Sequence, residues 1–209
     1  MSNEIKLEVT CVHCLGTGIK KIYPMINGNE DLVAKDILFE EELFLYRCPH
    51  CGHYQKISYE CLYYDDKLKY AVALSRDGHK FLKKLKLELG GYQIRFVREI
   101  SELKEKIVIK ENNLDDRIIE IMKYNVRNSL TSKATYNLVL TSSEEGLQFV
   151  LLYPDREVIK TFAFSMYDYL VIEKKYLDYL DNDYIVDALF ASKSVLRINK
   201  IDYVNIDYH

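Results

Sequence analysis

The chain has 209 residues, of which 48% are apolar, and its 29 basic and 32 acidic side chains give a net charge of −3. This composition is typical of a folded globular protein, and the near balance of charge excludes a strong field that would favour a nucleic acid or an acidic membrane. No apolar run approaches the ~20 residues of a membrane-spanning helix, and residues 1–6 lack the pattern of a signal peptide, so we expect a cytoplasmic protein without a membrane partner.

The first elements are a strand, a pair of cysteines and a second strand. Apolar and polar residues alternate from Glu4 to Thr10, which predicts a strand. This strand leads into Cys11 and Cys14, and a second strand is expected over residues 19–25. The cysteine pair therefore lies at the turn of a predicted β-hairpin.

A second hairpin is predicted after a short helix. The helix is expected over residues 31–38, with Asn29 as its N-cap. Residues 43–47 then form a strand that leads into Cys48-Pro49-His50-Cys51-Gly52, and residues 54–59 carry the chain away. The proline of this motif stiffens the turn, and its glycine can adopt the left-handed conformation that lets backbone N–H groups point at the sulfurs.

The two cysteine pairs have the ligand set of one structural zinc site. We expect Cys11, Cys14, Cys48 and Cys51 to bind one Zn²⁺ per chain as thiolates. A closed shell of four sulfurs leaves no position for water, which favours a structural metal over a catalytic one. Iron in the same shell, disulfides and a redox-active pair are the alternatives. The lack of an export signal disfavours disulfides, and neither pair precedes a convincing helix that would lower a thiol pKa.

Other side chains near the cysteines have weaker roles. His13, His50 or His53 could displace a cysteine from the metal shell, but the complete cysteine set favours exposed histidines or outer donors. The fifth cysteine, Cys61, is predicted to be a small buried apolar residue.

The rest of the chain alternates between strands and helices. Residues 69–74 and 92–97 are predicted strands, with a lysine-rich segment between them. The second half contains a predicted three-stranded meander, a helix opened by a Ser165–Asp168 capping box, a last helix and a final strand. These segments are residues 136–140, 147–153, 158–164, 165–180, 187–193 and the tail from residue 195.

This pattern predicts an α+β protein in two parts. The first part, residues 1–112, is a zinc-ribbon-like antiparallel β domain with helical insertions, and the second, residues 113–209, is a smaller α+β region. Charge also changes along the chain, because residues 1–110 hold 18 basic and 16 acidic groups, whereas the remainder holds 11 and 16.

A series of motifs in fixed order resembles a known family. After the first cysteine pair and the capped helix come Leu43 to His53, Leu62-Tyr63-Tyr64-Asp65, Ile94 to Val97 and residues 103–120. This order resembles the bacterial and archaeal CpXC-domain family, named for two Cys-Pro-x-Cys motifs, over about residues 8–128. The first motif departs from the pattern, since Val12 stands where the family favours proline, but that position is not a ligand. The resemblance implies the fold and the metal and suggests no activity.

We therefore expect a non-enzymatic zinc-binding protein that acts as a protein-interaction or regulatory module. The alternative is a nucleic-acid-binding zinc-ribbon protein, in which a basic segment joins other cations on one face. Those cations are Lys80, Lys83, Lys84, Lys86, Lys20, Lys21 and Arg95. A further alternative is an enzyme with a pocket of perturbed carboxylates or histidines away from the zinc.

Overall fold

The computed structural model describes residues 4–85, 89–130, 137–142, 146–152 and 158–206. The chain divides into two compact units, Met1–Lys104 and Glu105–His209. This division falls within the helix Ile100–Glu111, whereas the sequence placed it after residue 112. Helices and strands occur in both units, and the predicted α+β class is confirmed. Among the described residues, no helix combines the length and the apolar character needed to cross a bilayer.

The first unit contains two hairpins and one larger sheet. The sheet has four strands in the order β3-β6-β7-β8, with β3 parallel to β6, β6 antiparallel to β7, and β7 parallel to β8. The elements are β1 (Ile5–Thr10), β2 (Thr17–Ile22), β3 (Met25–Asn27), α1 (Leu32–Phe39), β4 (Leu45–Arg47), β5 (Tyr54–Lys56), β6 (Cys61–Asp65), β7 (Tyr70–Leu74), α2 (Gly78–Leu85) and β8 (Gln93–Val97).

Strand β6 was not predicted from the sequence, although it lies inside the sheet. Its neighbours β3 and β7 pair with both of its edges, and nearly all of its side chains are buried. A strand covered on both faces loses the alternation of apolar and polar residues that identifies a half-exposed strand.

The inserted helix α1 forms as predicted, but its cap is a different residue. The Asp31 carboxylate, through Oδ1, accepts a hydrogen bond from the Ala34 N–H at 2.9 Å and is the N-cap. Asn29, predicted for this role, instead donates from Nδ2 to Asp65 Oδ1 at 2.6 Å. Both residue types suit an N-cap, so only the path of the chain decides between them.

The second unit packs helices against a three-stranded meander in the order β11-β10-β9, as predicted. Its core contains apolar residues from the sheet and from the helices α4 and α6, among them Ile118, Phe149 and Phe190. The elements are α3 (Ile100–Glu111), which spans the division between the units, α4 (Asp116–Ser129), β9 (Asn137–Ser142), β10 (Leu147–Leu152), β11 (Val158–Phe164), α5 (Met166–Tyr176) and α6 (Ala188–Ile206).

The end of the chain corrects one prediction. The tail from residue 195 was expected to be a strand, but α6 continues to Ile206. Buried residues recur along it with helical spacing, at Phe190, Ala191, Ser194, Val195 and Ile198. The branched residues of this segment favoured a strand, and packing against α4 outweighs that weak preference.

A buried network of charges lies inside the second unit. Lys123 Nζ contacts Glu105 Oε2 at 2.9 Å and Glu120 Oε1 at 2.6 Å, and Lys106 Nζ contacts Asp116 Oδ2 at 2.9 Å. Burial lowers the pKa of Lys123, but the two glutamates outweigh it and raise that pKa above its ordinary value.

The network also binds backbone from two other segments. Glu105 Oε1 accepts from the Leu140 N–H at 2.6 Å, and Lys106 Nζ donates to the Val186 carbonyl at 2.8 Å. Since buried charges are tolerated only when paired and hydrogen-bonded, this network fixes β9 and the segment before α6 against α3 and α4.

Candidate metal centre

Each predicted cysteine pair lies in the turn of a hairpin, as the sequence indicated. Strands β1 and β2 pair antiparallel up to Thr10 and Thr17, and Cys11 and Cys14 lie in the turn between them. Strands β4 and β5 pair up to Arg47 and Tyr54, on either side of the second cysteine pair. The hairpin geometry therefore positions all four thiols at turn tips.

The two turns share one backbone pattern, which we call the knuckle. In the first knuckle the Cys11 N–H donates to the Gly16 carbonyl at 2.9 Å, and the Leu15 N–H donates to the Cys11 carbonyl at 3.0 Å. Leu15 adopts a left-handed backbone with φ of 60°.

The second knuckle repeats this pattern residue by residue. The Cys48 N–H donates to the His53 carbonyl at 2.9 Å, and the Gly52 N–H donates to the Cys48 carbonyl at 3.0 Å. Gly52 has φ of 73°, the left-handed conformation predicted for it. Gly52 thus occupies the position that Leu15 occupies in the first knuckle.

The four thiols meet at one point. Cys11 Sγ lies 3.7 Å from Cys51 Sγ, and Cys14 Sγ lies 3.6 Å from Cys48 Sγ. All four sulfurs lie within 4.8 Å of one another. Four sulfurs bound at about 2.3 Å to a tetrahedral zinc are separated by about 3.8 Å. The cluster has the dimensions to hold a metal ion.

The pKa values of the thiols depend on one another. Burial raises the pKa of Cys48, but the backbone N–H groups of Cys51 and His50, with the nearby thiols, outweigh it and lower that pKa to about 6. The His53 N–H lowers the pKa of Cys51, but desolvation and the neighbouring thiols raise it to about 12. Four adjacent thiolates repel one another, so all four become ionised together only when a cation compensates their charge.

A glutamine clamp holds the first knuckle, and the sequence did not indicate it. Gln55 on β5 accepts at Oε1 from the Val12 N–H at 2.8 Å and donates from Nε2 to the Thr10 carbonyl at 3.1 Å. These two backbone groups flank Cys11, so one amide side chain fixes the position of this ligand from the opposite hairpin.

Two glycines let the hairpins approach each other closely. A Cβ at Gly16 would lie 2.6 Å from His50 Cδ2, and a Cβ at Gly18 would overlap the Tyr46 hydroxyl and Pro49. The sequence gives no signal of this contact, because a close approach depends on the partner hairpin.

The three histidines lie around the thiols. His50 Nε2 donates to the Thr17 carbonyl at 2.9 Å and joins the two hairpins. His13 and His53 stack with ring centroids 5.3 Å apart. Because the cysteine cluster is complete without them, the structure gives them the outer positions that the sequence favoured.

Cys61 lies apart from the cluster, in β6. It is fully buried, and burial raises the pKa of its thiol to about 12. Its thiol donates to the Tyr23 carbonyl at 3.3 Å. This agrees with the predicted role as a small buried residue.

Among the described residues, Arg95 departs from the basic surface that the nucleic-acid alternative requires. Arg95 is buried in β8 and is only 1% exposed. Lys80 contacts Asp77 at 3.4 Å and Lys84 contacts Glu60 at 3.3 Å, and Lys86 lies outside the described residues. Asp77 and Glu60, which lie outside α2, offset part of its positive charge.

Comparison with known proteins gives one positive result. The model of the CpXC protein family matches residues 9–123, more than half of the chain and close to the range over which the motifs suggested a resemblance. No curated protein and no solved structure matches the chain. The chain belongs to the CpXC protein family.

Proposed function

We propose that the chain binds one structural Zn²⁺ through Cys11, Cys14, Cys48 and Cys51. The observation that carries the proposal is the distance between the sulfurs, 3.6 and 3.7 Å for the two closest pairs. Sulfurs that bind one tetrahedral zinc are separated by about 3.8 Å. Four thiolates suit zinc in a reducing compartment, so we also propose a cytoplasmic location.

The zinc serves the fold and takes no part in catalysis. Four protein ligands leave no coordination position for water or substrate. The hairpins have a small apolar cluster of their own, formed by Val9, Cys11, Tyr46 and Cys48, and two-stranded hairpins are marginal in water. The free energy of metal binding, on the order of 10 kcal/mol, supplies the stability that this cluster lacks. On this ground we propose a structural, non-catalytic role for the zinc.

The partner that we propose is another protein, which binds the tip of the first knuckle. Val12 and Leu15 are 71% and 76% exposed there, beside the exposed Cys14. The hydrogen bonds of the knuckle hold their backbone in place, so little conformational entropy is lost when a partner covers them. The buried Arg95 and the paired lysines of α2 favour this partner over a nucleic acid.

Metal analysis of protein purified under reducing conditions tests the zinc. We expect about one zinc per chain in the wild type and its loss in Cys48→Ser, since a three-sulfur shell binds less tightly. Cys61→Ser is the matched control, because Cys61 is a cysteine of the same unit outside the cluster, and it should retain the metal. Less than about half a zinc in the wild type, or equal loss in both variants, would contradict the proposal.

Affinity capture from the host tests the partner. Zinc-loaded wild type should recover a protein that Val12→Asp does not, whereas Leu32→Asp, which changes an exposed leucine of α1, should recover it. Recovery of the same protein by all three would exclude the knuckle tip as the binding surface, even if zinc binding is intact.

A further inference from the structure

Helix α5 has apolar residues on two opposite faces. One face packs into the core of the second unit through Tyr169 and Tyr176. The other carries four large apolar side chains that are 40%, 73%, 52% and 50% exposed: Met166, Tyr167, Leu170 and Val171. Their helical spacing places them in one stripe about 140° wide, with exposed Lys174 in its middle. We call these five residues the α5 stripe.

This exposure is unusual for the outer face of a helix. A helix at the surface of a globular unit presents charged and polar residues to water, and one that is apolar on all sides is normally covered. A contiguous apolar patch marks an interaction surface. The buried core of the second unit does not use the α5 stripe, which leaves it open to another molecule.

The two ends of the α5 stripe complement each other, which favours a second copy of the chain as that molecule. Tyr167 is in the first turn of α5 and Lys174 is in the last. Two such helices packed antiparallel about a two-fold axis between Leu170 and Val171 place each Tyr167 opposite Lys174 of the other copy, a cation–π pair. Parallel packing would instead oppose like charges.

We propose that the chain forms a two-fold symmetric dimer in which the α5 stripes of two copies pack antiparallel. Such an interface is isologous, the commonest kind in homodimers. One pair of short helices buries less surface than the ~1,600 Å² of a standard interface. The dimer is therefore weak, with a dissociation constant on the order of micromolar.

Sedimentation equilibrium of the full zinc-loaded chain, from about 1 μM to 1 mM, tests the dimer. Wild type should change from monomer to dimer across this range. Leu170→Glu should weaken association by at least about tenfold, since it would bury unpaired carboxylates. Leu189→Glu, which changes a leucine of α6 that is 59% exposed, is the control and should associate like the wild type. Circular dichroism confirms that each variant is folded.

A charge reversal tests the antiparallel register. Lys174→Glu places a carboxylate against the Tyr167 ring of the other copy and should weaken association several-fold, whereas Lys193→Glu on α6 should not. In a parallel pair the substituted residue would face the same position in the other copy. The change would then replace repulsion between two lysines with repulsion between two glutamates, and association would not weaken. A wild type that stays monomeric, or a Leu189→Glu variant as impaired as Leu170→Glu, overturns the proposal. A monomer that binds lipid vesicles through the stripe overturns it as well.

Discussion

At the scale of single residues, the two knuckles solve one conformational problem in two ways. Leu15 and Gly52 occupy equivalent positions, and both have a left-handed backbone, with φ of 60° and 73°. This conformation costs a residue with a Cβ about 1–2 kcal/mol and costs glycine almost nothing. The Leu15 side chain is 76% exposed, so little packing offsets the cost, and the first knuckle is strained whereas the second is not.

We expect Leu15→Gly to stabilise the zinc-loaded protein by roughly 0.5–1 kcal/mol. Relief of the backbone strain contributes about 1–2 kcal/mol. This exceeds the free-energy cost of the greater conformational entropy of glycine in the unfolded chain, which is about 0.5–1 kcal/mol. Urea unfolding followed by circular dichroism measures the change. Gly52→Ala is the matched control, since a Cβ there meets no atom within 4 Å, and it should destabilise by about 1 kcal/mol. Destabilisation by Leu15→Gly would contradict the strain.

At the scale of elements, the start of α5 depends on a charged cap. Asp168 Oδ2 accepts from the Ser165 N–H at 2.8 Å and from Ser165 Oγ at 2.7 Å, while Ser165 Oγ accepts from the Asp168 N–H at 3.2 Å. The Ser165 hydroxyl and then its N–H hold the pKa of Asp168 below the ordinary value of 3.8. This is the capping box that the sequence predicted.

The sign of this shift makes the cap sensitive to acid. Because the pKa is lower in the folded state, the ionised cap stabilises the protein at pH values above 3.8 and loses that contribution as the pH falls through the folded pKa. Asp168→Asn should therefore be less stable than the wild type at pH 7, with a difference that shrinks below about pH 4. Urea unfolding of both proteins at pH 7 and below about pH 4 measures the difference in stability. A difference that does not depend on pH would show that the charge of Asp168 is not involved.

At the scale of the whole molecule, the metal and the apolar cores stabilise different parts of the chain. The hairpins β1–β2 and β4–β5 share the small cluster beside the cysteines. The four-stranded sheet has its own core, which includes Leu62, Phe81 and Phe96, and the second unit has a larger one. Loss of the metal should therefore affect the hairpins first.

Hydrogen exchange after chelation tests this division. We expect amide protection to fall in β1, β2, β4 and β5, while β7 and α4 stay protected, because a two-stranded hairpin is not stable alone. The Cys48→Ser variant should show the same pattern without a chelator, and Cys61→Ser should not. Uniform loss of protection in both units would show that the metal stabilises the entire chain.

The sequence by itself determined the features that depend on local chemistry. Cysteine spacing identified the four thiols of the cluster, and alternation identified the first hairpin strand. The Ser165–Asp168 spacing identified a cap that acts within one helical turn. Each cysteine pair, the strand and the cap are specified by residues only a few positions apart, so they could be recognised without knowledge of distant contacts.

Only the tertiary structure decided the features that depend on distant residues. It made β6 a strand between two neighbours, continued α6 through a segment with strand preference, and buried Arg95. It also placed Gln55 across from Cys11, although the two lie far apart in the chain. These outcomes depend on which surfaces meet, and burial against a partner outweighs the weak local preferences that a sequence pattern records.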